Sequence, residues 1–243
     1  MRYGMARAAG LLAGMLFAAT AAQACEQVTH RDRSFTVCTA DLTTQNIALR
    51  LNGSDGMPLG SFVALEQATD ASVIFAMNAG MYHADRRPVG LYIEEGTTIR
   101  PIVTRAGPGN FGLLPNGVLC VRDGRADVIE SRAFAADPPA CRQATQSGPM
   151  LVIDGALQPR FLPDSPSSKI RNGVGATPDG KIAYFVISDQ PVTFYQMATL
   201  YRDVLGVRNA LFLDGSVSRL YAPALKRADP GRQMGPIVVV TER

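Results

Sequence analysis

Apolar residues in this chain come in short β-branched or aliphatic runs separated by glycine-containing turns, the pattern of strands joined by tight connections. The clearest runs predict strands over residues 46–51, 72–77, 91–94, 117–121, 150–153, 182–187, 210–213 and 236–241. Asn116-Gly117, Asp123-Gly124, Asp154-Gly155 and Asp179-Gly180 lie between or beside them. Residues that tolerate positive φ at such places favour two-residue hairpins, so the sheets are expected to be largely antiparallel. One segment has helical spacing instead: over 192–205, Phe194, Met197, Leu200, Tyr201, Val204 and Leu205 share a face, and Gly206 follows as a C-terminal cap. Residues 131–136 and the stretch near Cys141 predict shorter helical turns. The segment 161–173, FLPDSPSSKIRNG, is polar and rich in Pro and Ser, and reads as a long surface loop of the kind that carries function. No repeat or linker interrupts the pattern, which predicts one α+β domain of mainly antiparallel sheet over 25–243.

That domain begins at 25 because residues 1–24 read as an export signal. Arg2 and Arg7 form a positive start, 8–22 is apolar, and Ala22-Gln23-Ala24 is a small-x-small cleavage site. The apolar stretch falls short of the roughly 20 residues that span a bilayer. A Cys at the first mature position raises the alternative of a lipid anchor, but a lipobox normally has Leu three residues before its Cys, where this chain has Ala22. The expected location is periplasmic or secreted. Of the 243 residues, 47% are hydrophobic and 19% charged, as in an ordinary globular protein. Loss of Arg2 and Arg7 lowers the formal net charge from +3 to +1, and with no basic run this excludes a nucleic-acid groove.

Four cysteines remain: Cys25, Cys38, Cys120 and Cys141. None forms Cys-x-x-Cys and only His30 and His83 could supplement them, so no metal site is expected. An even count in an exported chain favours two disulfides. The pairs Cys25–Cys38 and Cys120–Cys141 each close a short loop and are favoured over the other connectivities.

The familiar catalytic spellings are missing. Gly107 to Gly112 matches G-x-G-x-x-G but carries a Pro and leads into Leu-Leu-Pro rather than a helix, so no nucleotide cofactor is expected. His83 has neither a Gly-x-Ser-x-Gly elbow nor a His-Glu-x-x-His helix beside it. What remains is a set of polar, glycine-containing loops at strand ends: 78–82, 146–149, 169–175 and 213–218. Rigid strands at those places would aim polar groups into one cleft.

In order along the chain stand Asn78 to Gly80, Gly90 to Ile93, Asn116-Gly117, Gln146-Ser147-Gly148-Pro149, Arg171 through Asp179-Gly180, and Leu213 to Ser218. In these blocks the sequence resembles the phosphodiester glycosidase family, which includes an uncovering enzyme that removes N-acetylglucosamine from mannose 6-phosphate diesters and a bacterial branch labelled exopolysaccharide-related. The resemblance runs from about residue 45 to the C-terminus. It implies hydrolysis of a glycosyl phosphodiester at the anomeric carbon, on an envelope or extracellular glycan; no cofactor is expected, and any divalent-metal requirement stays open. One block departs from the family: where three glycines follow the Asp, this chain has Gly215-Ser216-Val217. That restricts the backbone and puts the family's sugar preference in doubt.

Asp-Gly occurs five times, at 55, 123, 154, 179 and 214, and a simple turn accounts for the three flanked by hairpin strands. Asp214 instead ends an apolar run after the helix, and the resemblance makes it the catalytic carboxylate. The resemblance likewise lifts Arg171 from a solvated loop charge to a phosphate clamp, because a guanidinium offers phosphate two parallel donors. Asn78, Gly80, His83, Asn110, Gln146, Ser147, Gly148, Asn172, Gly215 and Ser218 are the expected substrate contacts. The second carboxylate, and with it retaining or inverting stereochemistry, stays open. Two rival readings are a non-catalytic polysaccharide-binding module of the envelope and a serine esterase using Ser147 with His83.

Overall fold

The computed structural model describes residues 23–214 and 216–243. All but the last two residues of the expected leader, and Gly215, lie outside the described residues. Three sheets make up the domain. In the first, seven strands run in the order Cys25–His30, Arg33–Asp41, Ile182–Ser188, Asn172–Ala176, Asn209–Asp214, Met150–Ile153 and Ala156–Leu157. The second has Arg227–Ala228, Leu220–Ala222, Val73–Asn78, Ile237–Glu242 and Gln45–Arg50. The third has Thr97–Arg100, Tyr92–Glu94, Gln143–Ser147, Gly117–Arg122 and Arg125–Glu130. The described strands pair antiparallel throughout, as the hairpin dipeptides predict.

The inner faces of all three sheets meet in one core, where Phe185 and Leu211 from the first pack with Leu49, Met77 and Val238 from the second and Tyr92 and Leu119 from the third. Each outer face is covered by its own helix. Phe194–Thr199, which continues as the wider-wound turn Leu200–Val204, sets Met197, Leu200 and Tyr201 over Val152, Val186 and Phe212. Phe62–Gln67 places Phe62 and Leu65 over Ala76 and Val239, and Ser131–Ala136 places Phe134 over Ile93 and Val118. Strands so covered are apolar on both faces, which is why Asn209–Asp214 reads as an unbroken run rather than an alternation.

Local chemistry explains the longest helix. Thr193 Oγ1 accepts from Gln196 N at 3.2 Å while Gln196 Oε1 accepts from Thr193 N at 2.9 Å, a reciprocal cap. Gly206, at φ +64°, takes the left-handed conformation past its end. The strand beneath carries Gly173 and Gly175. A Cβ on Gly173 would lie 2.7 Å from the Leu211 carbonyl oxygen, and one on Gly175 would lie 3.0 Å from the Tyr201 ring, so both positions need the missing side chain for close packing.

Several expectations change. Asn116-Gly117 is not a hairpin: Asn116 is buried, its Nδ2 donates to the Phe111 carbonyl at 3.1 Å, and Gly117 opens a strand. The stretch at Cys141 is extended rather than helical, following Pro138 and Pro139. The loop read over 161–173 ends sooner, since Asn172 and Gly173 already belong to a strand. The hairpin Cys25–Asp41 went unread because its outer strand is mostly exposed and polar. The helix Phe62–Gln67 buries only two of its six residues and leaves little periodic signal.

Cys25 pairs with Cys38 across the first hairpin, and Cys120 with Cys141, the pairing favoured from loop length. No helix among the described residues is long and apolar enough to cross a membrane.

Candidate functional site

The strands bearing Asn78, Asn172 and Asp214 end together. Asn172 pairs with Asp214 across the seven-stranded sheet, and Asn78 pairs with Ile237 in the second. The two asparagine side chains join these sheets: Asn78 Nδ2 donates to Asn172 Oδ1 at 3.2 Å, and Asn172 Nδ2 donates to Asn78 O at 2.9 Å and Oδ1 at 3.1 Å. Their remaining capacity goes to backbone at the site. Asn172 Oδ1 accepts from Asp214 N at 3.0 Å, and Asn78 Oδ1 accepts from Arg219 N at 2.9 Å. Ser218 closes the same knot, with its hydroxyl donating to the Asp214 carbonyl and, at 3.3 Å, to the Ile170 carbonyl. Both amides are fully buried, and at this position they set the backbone on either side of Asp214.

Asp214 emerges from this knot into a cleft of about 470 Å³, with 8% of its surface exposed. Its Oδ1 accepts from Ser216 N at 2.7 Å. Ser216 and Val217 both line the cleft, and Val217 also packs into the cluster formed by Phe62, Ala76 and Ile237. The departure from three glycines thus supplies a core side chain beneath the cleft.

The facing wall comes from the segment after Val73–Asn78. Gly80, at φ +145°, would carry a Cβ 3.0 Å from Thr145 Oγ1, so glycine lets this segment cross the third sheet closely. Tyr82 forms a bridge with Pro88 and its ring lies against Gly235, where a Cβ would come within 2.5 Å of the ring. The Tyr82 hydroxyl donates to the Gln233 carbonyl at 2.7 Å. Burial first, and then the charge of Asp214, pushes this phenol above its ordinary pKa and keeps it protonated. His83, Arg86, Asn110 and Arg232 complete the polar lining.

Of the residues expected from sequence, the structure brings Asp214, His83 and Asn110 to this cleft. Gly215 is outside the described residues. Gln146 is buried under the wall: its Oε1 accepts from Leu91 N and Val103 N, both at 3.0 Å, and its Nε2 donates to Val103 O at 2.6 Å and Ser131 Oγ at 2.9 Å. Ser147 is buried too and donates to the Leu213 carbonyl at 2.7 Å, one residue before Asp214. A Cβ on Gly148 would fall 2.6 Å from Asn116 Cβ. The block 146–148 therefore braces the site from behind, and no hydrogen bond among the described residues joins Ser147 to His83 as an esterase pair would require.

Arg171 lies elsewhere. It points to the helix-covered face, 1% exposed, with its guanidinium 3.7 Å from the Phe194 ring centre. Nε donates to Val192 O at 2.9 Å and one terminal nitrogen to Ser167 O at 3.2 Å. Its other terminal nitrogen is buried without a hydrogen bond. Desolvation alone lowers its pKa to about 10. The cleft lining does not include Arg171.

Tyr82, Arg86 and Arg232 were not singled out from sequence. Nothing local marks Arg86 or Arg232 among the chain's other arginines, although Tyr82 stands beside the Asn-Ala-Gly block. Among the described residues, no three His, Cys, Asp or Glu side chains gather as a metal site would need.

Comparisons with known proteins bear on this geometry. The family model described as phosphodiester glycosidase matches residues 71–241, a span that includes every element of the cleft. The uncharacterized protein YigE of Escherichia coli K12 is 35% identical over 185 residues, 75% of this chain and 72% of the relative. Among solved structures, the zebrafish N-acetylglucosamine-1-phosphodiester alpha-N-acetylglucosaminidase catalytic domain, auto-inhibited by its pro-peptide, superposes with a TM-score of 0.59 at 15% identity. The match covers 90% of this chain and 82% of that one. A hypothetical protein from Synechocystis gives a TM-score of 0.57 at 14% identity, covering 90% and 61% of the two chains. At these identities the structural likeness speaks for the fold.

Proposed function

This chain belongs to the phosphodiester glycosidase family, and from that premise we propose that it hydrolyses a glycosyl phosphodiester at the anomeric carbon. The observation that carries the proposal is Asp214, the only carboxylate among the described residues lining the cleft. In the reaction the bond between the anomeric carbon and the phosphate oxygen breaks. Water supplies a hydroxyl to the sugar and a proton to the released phosphomonoester. A phosphate leaving group is a weak base, so this chemistry asks less of a general acid than ordinary glycoside hydrolysis does. It asks instead for stabilisation of the positive charge that develops on the sugar, and in this reading the Asp214 carboxylate, which accepts from Ser216 N, supplies it. The neutral Tyr82 phenol, His83 and Asn110 offer hydrogen bonds to sugar hydroxyls in the same cleft.

Two disulfides accord with an oxidising compartment, and with the expected export signal they support action in the periplasm or outside the cell on an envelope or extracellular glycan. Purified mature protein is expected to release free sugar from a panel of sugar-1-phosphate diesters, and Asp214→Asn to lower kcat on the order of a hundredfold or more. Unchanged turnover in that variant would remove Asp214 from the chemistry. Glycan binding measured by calorimetry without turnover of any diester would favour the polysaccharide-binding module.

A further inference from the structure

We propose that Arg86 and Arg232 form the phosphate-gripping, specificity-determining pair of this cleft; the assignment rests on the glycosyl phosphodiester reading above. Both arginines line the cleft that holds Asp214, and they come from two separate segments. Arg86 sits at the tip of a turn in which His83 N donates to Arg87 O at 2.9 Å and Arg86 N donates to His83 O at 2.8 Å. Its own φ is +70°, a left-handed conformation unusual for a residue with a side chain. The guanidinium lies 5.4 Å from the Tyr82 ring centre and donates to Gln233 Oε1 at 3.4 Å.

The second segment is tied to the first. The Tyr82 hydroxyl holds the Gln233 carbonyl, and the adjacent Arg232 carbonyl accepts from Arg219 at 2.8 Å, whose Nε is anchored on Asp229 O at 2.9 Å. Backbone and neighbours are thus fixed while both arginines line the cleft.

The pair combines a place on the cleft lining with a lack of acid partners. Among the described residues neither Arg86 nor Arg232 is in an ion pair, whereas Arg122 and Arg125 share Asp127, and Arg227 is held by Asp189 and Asp229. Two arginines and one carboxylate along the lining leave the cleft with a positive balance. A phosphodiester monoanion matches that balance, and its paired oxygens match the planar donor fork of arginine. A neutral glycoside of the same sugar offers these groups hydroxyl acceptors but no charge. Arg171, closed in beneath Ser167 and Val192, is committed to protein partners.

The test uses inorganic phosphate as a probe of the anion site in the full mature chain, by calorimetry at low ionic strength, together with diester kinetics. Arg86→Gln with Arg232→Gln is expected to weaken phosphate binding by about tenfold or more and to raise KM for diesters with a smaller effect on kcat. As a control, Arg208→Gln removes one positive charge where Arg208 faces Asp154, just before the strand that carries Asp214, and is expected to leave both readouts unchanged. Phosphate binding retained in the double variant, or absent from the unaltered protein, overturns the assignment. If phosphate binding falls in the double variant while the unaltered protein turns over no diester, the gripping pair stands and the proposed reaction fails.

Discussion

Arg171 shows how far a residue's role depends on where its side chain is sent. In sequence it stands in a polar loop beside Lys169 and the resemblance makes it a phosphate clamp, yet its guanidinium is buried on Phe194 with no carboxylate partner among the described residues. Its bonds are to the carbonyls of Val192 and Ser167, so it holds the 167–171 segment to the start of the helix. Truncation by Arg171→Ala is expected to cost about 2 kcal/mol through the lost bonds and the space left behind. Arg171→Met, which refills the space without a buried charge, should recover much of that loss and leave KM for a diester unchanged. Denaturant titration and steady-state kinetics on both variants check this. A raised KM in the methionine variant at unchanged stability would put the guanidinium on the phosphate after all.

At the level of elements, the strand Asn172–Ala176 is the pivot of the site. Its Asn172 side chain positions Asp214 N, and its Gly173 lies against the strand that delivers Asp214. A methyl group at Gly173 would meet the Leu211 carbonyl oxygen at 2.7 Å, a backbone atom that cannot rotate away. Gly173→Ala is therefore expected to destabilise by about 2 kcal/mol and to lower kcat as well, because the displaced strand carries Asp214, the carboxylate proposed for the chemistry. Thermal unfolding and turnover measured side by side test the coupling; a loss of stability with kcat intact would uncouple this strand from the site. The polar strand Gln143–Ser147 makes the complementary point. Its residues QATQS are all buried, an arrangement that local polarity argues against and that only distant hydrogen-bond partners allow.

Across the whole molecule, the site lies where the first two sheets are joined by the Asn78–Asn172 pair and braced from the third by Ser147. The Cys120–Cys141 bridge ties the segment leading into Gln143–Ser147 to the neighbouring strand. Replacing both cysteines by serine is expected to cost about 3 kcal/mol, mainly by freeing the unfolded chain. The kcat/KM of the folded variant should stay within about twofold, since the hydrogen bonds of Gln146 hold the brace independently of the sulfurs. Unfolding in denaturant and diester kinetics at a temperature where the variant stays folded separate these effects. A large fall in kcat/KM would make the bridge part of the site's preorganisation.

Local pattern alone determined the apolar strands such as Val73–Asn78, Gly117–Arg122 and Asn209–Asp214, the helix within 192–205, the hairpins at Asp123-Gly124, Asp154-Gly155 and Asp179-Gly180, and the order of blocks that marks the family. Those features depend on side-chain period, φ preference and loop closure, which act over a few residues to a few tens. Only the tertiary structure decided which polar residues face the cleft and which are spent inside. Asn78 finds Asn172 at a separation of 94 residues, Gln146 finds Leu91 at 55, and Ser147 finds Leu213 at 66. A buried amide or hydroxyl is stable only with such a partner. A polar residue's immediate neighbours carry no record of whether it will find one, so Asn78 and His83 look equally available along the chain, and only the closed sheets bury the first and leave the second on the cleft.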